Sequence, residues 1–190
     1  MLMLPKFEIL KERITYTGSE LRPHWGLEQT KIYGSLLTAF VGPCEVKTGE
    51  LVDMEDRLAS DFIRSKSMLH VIGEFFGTTL EAGVLYQRLL ISHAEDRLRL
   101  AGWPKIERRG DDLMIGDRKL SVSIATVSPV SVLIHWGMNI DSTGAPVKAI
   151  GFSELGWNET KALEFAHELL AGFCEEIKDI QIAQCKVRAV

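Results

Sequence analysis

Asp111-Asp112-Leu113-Met114-Ile115-Gly116-Asp117-Arg118-Lys119-Leu120-Ser121-Val122-Ser123-Ile124-Ala125, followed by Val132-Leu133-Ile134-His135-Trp136-Gly137-Met138-Asn139-Ile140-Asp141, is the stretch that decides the fold. In its second half the even positions Val132, Ile134, Trp136, Met138 and Ile140 are all apolar. The odd positions Ser131, His135, Gly137, Asn139 and Asp141 are polar or small, with Leu133 the exception. A period of two is the signature of a strand that buries one face. In the first half Lys119, Ser121 and Ser123 share one face, and Leu120, Val122 and Ile124 take the other. A three-residue hairpin loop at Ser128-Pro129-Val130 pairs Val127 with Ser131 and sets Ser123 opposite His135, Ser121 opposite Gly137 and Lys119 opposite Asn139.

That polar face has two readings. One side of an antiparallel sheet is commonly just solvated. Against this, Gly137 in mid-strand loses packing and marks close approach of a ligand or backbone. A solvated face would also carry more Lys, Glu and Thr than this mixture of serines with one cation, one imidazole and one amide. A lysine in a sheet-lined space calls for a charged partner, which makes the face a candidate pocket for an anion.

Working outward, Arg13–Tyr16 reads as a short first strand, and Leu36–Val41 as a strand ended by the turn signal Gly42-Pro43. Leu51, Met54 and Leu58, spaced among Asp53, Glu55 and Asp56, predict a short acidic helix over 50–60. Met68–Phe76 is a strand with His70 and Glu74 on one face. Thr78 or Thr79 caps a helix with the stripe Leu80, Val84, Ile91, Ala94, Leu98 and Ala101, stopped by Gly102 and Pro104. Strands are predicted at 105–109, 112–115, 118–127 and 131–140. Asn158 caps a last helix, with Leu163, Ala166, Leu170, Phe173 and Ile177 on its apolar face, and a final strand spans Ile182–Val187. Grouped strands with two long helices predict an α+β domain: a mixed, mostly antiparallel sheet with helices packed on one face.

At 190 residues, 46% hydrophobic and 25% charged, the chain is long enough for one well-packed domain over 1–190. A net charge of −4 and a pI near 5.8 leave no electrostatic footprint for nucleic acid. The apolar opening Met1–Leu4 stops at Pro5-Lys6, too short for a signal peptide or a membrane span. Cys44, Cys174 and Cys185 are odd in number and widely spaced, as expected of reduced, buried thiols in a cytoplasmic protein.

The central stretch resembles the biotin and lipoate protein ligases. Asp111-Asp112-Leu113 with Gly116-Asp117-Arg118-Lys119-Leu120-Ser121 is similar to their Asn-Asp-Leu … Asp-Arg-Lys run. His135-Trp136-Gly137-Met138-Asn139-Ile140 is similar to their His-Gly and Gly-Ile-Asn strands. The match covers about residues 80–141. The whole chain also resembles a small archaeal and bacterial family of unassigned activity in that superfamily, which shares its fold with class II aminoacyl-tRNA synthetases. The resemblance implies a ligand on the exposed sheet face. Lys119 matches the lysine that meets the acyl carboxylate and phosphate, Asn139 the asparagine near nucleotide and metal, and Asp112 the aspartate of the Asn-Asp pair. ATP as a cofactor, a small carboxylate or acyl compound as ligand, and a homodimer are implied only in this way.

The departures are specific. The Arg- and Gly-rich loop that wraps an acyl-adenylate has no counterpart: Asp61-Phe62-Ile63-Arg64-Ser65-Lys66-Ser67 is basic but lacks glycine. Val122 replaces the glycine after Lys-Leu-Ser. Arg108, which cannot act as nucleophile or base, stands where biotin ligases have a lysine. These departures weigh against adenylate formation more than against carboxylate binding.

Further candidates are His70 and Glu74, which read either as an imidazole–carboxylate pair beside the pocket, able to join His135 around a metal, or as a satisfied structural pair. Arg22, His24 and Trp25 could form a positive, aromatic loop over a pocket or simply pack. His93 and His167 read as helix packing or surface residues, and Asp53-Glu55-Asp56 as a solvated helix face. The expected site comprises Lys119 as the catalytic group with Ser121, Ser123, His135, Gly137, Asn139, His70, Glu74, Arg108 and Asp112 around the ligand. A binding protein without chemistry and a metal-dependent hydrolase are the competing readings.

Overall fold

The computed structural model describes residues 4–59 and 61–188. In chain order its strands are β1 (Lys6–Ile9), β2 (Leu36–Val46), β3 (Ile63–Phe76), β4 (Ile106–Arg109), β5 (Asp112–Ile115), β6 (Arg118–Lys119), β7 (Ser121–Val127) and β8 (Ser131–Asp141). The helices are α1 (Trp25–Thr30), α2 (Met54–Leu58), α3 (Leu80–Leu100) and α4 (Glu159–Cys185). The main sheet runs β1-β2-β3-β8-β7, with β1 parallel to β2 and the other pairs antiparallel, and β4-β5-β6 form a small second sheet. This is the expected α+β architecture with a mostly antiparallel sheet.

The long helices form because their capping and apolar spacing agree. Thr79 Oγ1 accepts from Ala82 N and Asn158 Oδ1 from Lys161 N, each satisfying an otherwise orphaned first-turn donor. Both helices pack on the sheet face that carries Leu37, Leu69, Val71, Ile134, Trp136 and Met138. Burying Leu169, Leu170 and Phe173 of α4 there stabilises the fold by about 1.5–3 kcal/mol each. The buried stripe of α3 is rotated from the predicted one. Gly83 and Gln87 join Leu90, Ile91, Ala94 and Leu98, while Leu80 and Ala101 are exposed. Gly83 permits this approach: a Cβ there would lie 2.3 Å from Val132 Cγ1.

Several expectations are corrected. The first strand is Lys6–Ile9, whereas Arg13–Tyr16 contributes a single bridge, Tyr16 to Cys44. β2 continues through Gly42-Pro43 to Val46, because a bulge between Ser65 and Met68 of β3 lies opposite Pro43, which cannot donate to the ladder. The acidic helix shrinks to Met54–Leu58. The strand predicted at Ile182–Val187 does not form: Ile177 and Ile180 still pack against the core, so α4 propagates to Cys185. Cys44 is buried but Cys185 is exposed.

The second sheet face carries Phe40, Met68, Ile72 and Val122 and is covered by Tyr16, Trp25 and Leu51. Glu74 anchors this cover: its carboxylate accepts from His24 N at 2.9 Å and from Ser131 Oγ at 2.6 Å, bridging the start of α1 to the start of β8. Glu74→Ala leaves both donors without a partner in a buried site, so a loss of about 2–3 kcal/mol is expected in urea unfolding. Glu74→Gln, which keeps an acceptor, should lose less.

Candidate functional site

The strand carrying Lys119 is interrupted at Leu120. Asn139 N donates to Leu120 O, and Leu120 N donates to Leu113 O, so the chain passes there from the small sheet to the large one. Lys119 is held on both sides of its peptide: its N donates to Lys148 O, and its O accepts from Ile150 N and, at 3.4 Å, from Asn139 Nδ2. Lys119 Nζ then pairs with Asp112 Oδ2 at 2.8 Å, both side chains about one-third exposed.

The hairpin register differs by one residue from the predicted one. Ser128 Oγ accepts from both Val130 N and Ser131 N, a local turn that makes the loop four residues and pairs Val127 with Val132. Ser123 therefore faces Trp136, Ser121 faces Met138, and Val122 faces Gly137. Ser121 and Ser123 thus lie on the helix side of the sheet, away from His135. Ser121 Oγ accepts from Leu113 N, and Ser123 Oγ is bonded by Gln87 Nε2 and donates to Asp111. The break at Leu120 restores Lys119 to the side of Asn139 despite the slip.

A cavity of about 360 Å³ opens on the non-helical face. Lys119, Asp112, Asn139 and His135 line it, with Tyr16, Met68, Val122 and Ile124 as apolar wall. Ser123 also reaches it beside Asp111. Gly137 serves packing: a Cβ there would lie 2.9 Å from Met68 Cε and 3.3 Å from His135 Cε1. Arg108 is exposed on β4, where its guanidinium binds Gly110 O, and it does not line the cavity.

His70 and His135 do come together, Nδ1 to Nε2 at 3.1 Å, with His70 Nε2 3.3 Å from Gly42 O. The His135 ring is stacked on Tyr16 at 3.8 Å and His70 on Phe40 at 4.9 Å. Burial drives both imidazoles toward the neutral form, His70 down to about 3 and His135 well below its usual range. Such a pair carries one N–H on each ring and no positive charge at neutral pH, so it relays hydrogen bonds as a neutral couple. Glu74 is bound elsewhere, so it does not join the two histidines as the metal reading requires. Among the described residues no group of three or more His, Cys, Asp or Glu is placed to hold a metal ion.

Arg22 pairs with Glu28, and Trp25 is buried against Phe40, so that segment packs rather than forming the loop over the pocket. His93 lies edge-on to Phe173 and His167 to Phe7, as packing residues do. What the sequence reading missed is acidic. Asp53 and Asp56 of the supposed solvated helix line the cavity, as do Glu50, Asp61 and Asp111. Asp53 Oδ1 caps α2 through Glu55 N and Asp56 N. Burial, then Asp53, raises the Asp56 carboxyl, and Lys119 opposes the shift. Burial also raises Asp112, against Lys119. Arg64, from the basic segment without glycine, is the second cation on the wall.

The sequence profile of a family described as a domain of unknown function, DUF366, matches residues 5–188. The chain belongs to that family. An uncharacterised protein of Methanocaldococcus jannaschii is 34% identical over 178 residues, 90% of this chain and 79% of its own. A solved protein of unknown function from Pyrococcus horikoshi is 39% identical with a TM-score of 0.89, covering 98% of this chain and 99% of that one. A biotin protein ligase from Aquifex aeolicus, in complex with biotin and ATP, has a TM-score of 0.57 at 14% identity, covering 91% of this chain and 72% of the ligase. At that identity the likeness establishes the fold, which is that of the biotin ligases. No helix among the described residues is long and apolar enough to cross a membrane.

Proposed function

We propose that this DUF366 protein binds a small carboxylate or acyl compound in the cavity of the non-helical sheet face, with Lys119 meeting the carboxylate. The observation that carries the reading is the kink at Leu120, which delivers a partly exposed lysine into a sheet-face cavity beside Asn139. An ammonium held by Asp112 stays oriented and can still offer further hydrogens to a ligand oxygen.

ATP, brought in by the fold likeness, does not fit the residues present. A triphosphate would face Glu50, Asp53, Asp56, Asp61, Asp111 and Asp112 with Arg64 and a pre-paired Lys119 as the cations. The neutral histidines and the position of Arg108 outside the cavity favour a binding role over acid–base chemistry; transfer of the acyl group is the extension of the proposal for which activity would be needed.

A thermal-shift panel of biotin, lipoate, octanoate and amino acids tests it. A ligand at a hundred times its Kd adds about 2.7 kcal/mol, an upward Tm shift of roughly 5–10 °C for a chain of this size. Lys119→Ala should weaken that ligand roughly tenfold or more through loss of one charged hydrogen bond. Equal responses of wild type and variant overturn the site.

A further inference from the structure

The charge of the cavity does not match a bare carboxylate. Six carboxylates and two cations line it, and Lys119 is already neutralised by Asp112. A ligand carrying only negative charge would enter a field of its own sign. Asp56 N donates to the capping Asp53 Oδ1, while the Asp56 carboxylate itself makes no hydrogen bond to a described residue.

A second observation points the same way. Gly42 O can only accept, so the hydrogen of His70 sits on Nε2; neutral His70 then presents a lone pair at Nδ1, to which His135 Nε2 donates. Neutral His135 is left with a lone pair at Nδ1. That ring is 97% buried, being 3% exposed, yet no described residue hydrogen-bonds its Nδ1. Among the described residues, the buried polar side-chain atoms that are sealed off without a partner are Thr38 Oγ1, Trp136 Nε1 and Gln181 Oε1. His135 Nδ1 is not among them, so it is in reach of the cavity that His135 lines. An acceptor of this kind, fixed by a two-residue relay behind it, selects a ligand that brings a hydrogen-bond donor.

We infer that the ligand is an amine-bearing acid, a zwitterion whose carboxylate meets Lys119 and whose ammonium or N–H group meets Asp56, Asp112 and His135 Nδ1. This rests on the carboxylate reading above and narrows its ligand class.

Calorimetric titration of the full chain with hexanoate, 2-aminohexanoate, 6-aminohexanoate and hexylamine tests it, on wild type, Asp56→Asn, Asp112→Asn and Lys119→Ala. The expected result is that one of the amino acids binds at least tenfold tighter than hexanoate and loses that advantage in Asp56→Asn or Asp112→Asn. Asp112→Asn, which frees Lys119, should at the same time raise the affinity for hexanoate. Hexanoate binding as tightly as both amino acids overturns the inference and leaves the carboxylate reading standing. Hexylamine binding as tightly as the amino acids, unaffected by Lys119→Ala, supports the donor-selecting site and overturns the carboxylate reading. No binding of any of the four compounds at 10-millimolar order overturns both.

Discussion

Gly42→Ala is expected to abolish folding, or to lower stability by about 4 kcal/mol or more, the range reserved for a forced rearrangement of buried backbone. An alanine Cβ at this position would lie 1.8 Å from Ile14 O and 2.6 Å from Ile14 C, and neither is the end of a flexible side chain. The segment that would have to retreat is the one that donates from Ile14 N to Val41 O and from Tyr16 N to Pro43 O. Retreat would strip Tyr16 from His135 and displace the carbonyl that fixes His70. For a chain of this length the loss corresponds to a Tm lower by about 10 °C or more. Calorimetric scans of the variant and of Gly49→Ala give the comparison, because a Cβ at Gly49 meets nothing within 4 Å. A Gly42→Ala protein as stable as wild type would contradict the close packing of the Ile14–Tyr16 segment against Gly42.

The second large effect is on acid stability. His70 has its folded-state pKa depressed to about 3 by burial, and His135 is depressed in the same direction. In the unfolded chain each titrates near 6.5. The native state therefore binds fewer protons than the unfolded state below that pH. The stabilisation is fully present above about 6.5 and is lost as pH falls toward the folded values. His70 contributes a slope of about 1.4 kcal/mol per pH unit in that window, and His135 adds to it in the same direction. By pH 4.5 His70 alone would remove roughly 2.7 kcal/mol, a sizeable part of the stability of an ordinary domain, and His135 acts in the same direction. His70→Gln, which keeps one donor and one acceptor but cannot titrate, should show a slope lower by about 1.4 kcal/mol per pH unit between pH 6.5 and 4.5 in urea unfolding. An unchanged slope would show that His70 is not a buried neutral base.

How far these features were legible in the sequence depends on their range. The two long helices were readable because cap and apolar spacing coincide locally, as at Thr79 and Asn158, although the end of α4 carries no stop signal. The period-two pattern of β8 located a central strand. The pairing of β7 with β8 was misread because a single hydroxyl, Ser128 Oγ, adds one residue to the turn, and the side chains of Ser121 and Ser123 change face with it. Lys119 reached the expected side only through the break at Leu120, which no periodicity encodes. Asp53 and Asp56 looked like a solvated helix face because the cavity wall they share, with Asp112, Lys119 and Asn139, is built from residues remote in sequence. The contact of His70 with His135 spans two strands and could be anticipated only as a shared face. Glu74 shares that face, yet its partners His24 and Ser131 lie in loops and strand ends that carry no sequence signal for it.

Backbone amide shift mapping of the protein titrated with the best ligand of the panels above tests the central claim most directly. The account predicts perturbations concentrated at Lys119, Val122, His135 and Asn139, with Asp112 and Asp56 moving in step. A second cavity, of about 370 Å³, lies between the end of α3 and the start of α4, lined by Arg97, Trp157 and Lys161. Shifts centred there, with the Lys119 cavity silent, would contradict it.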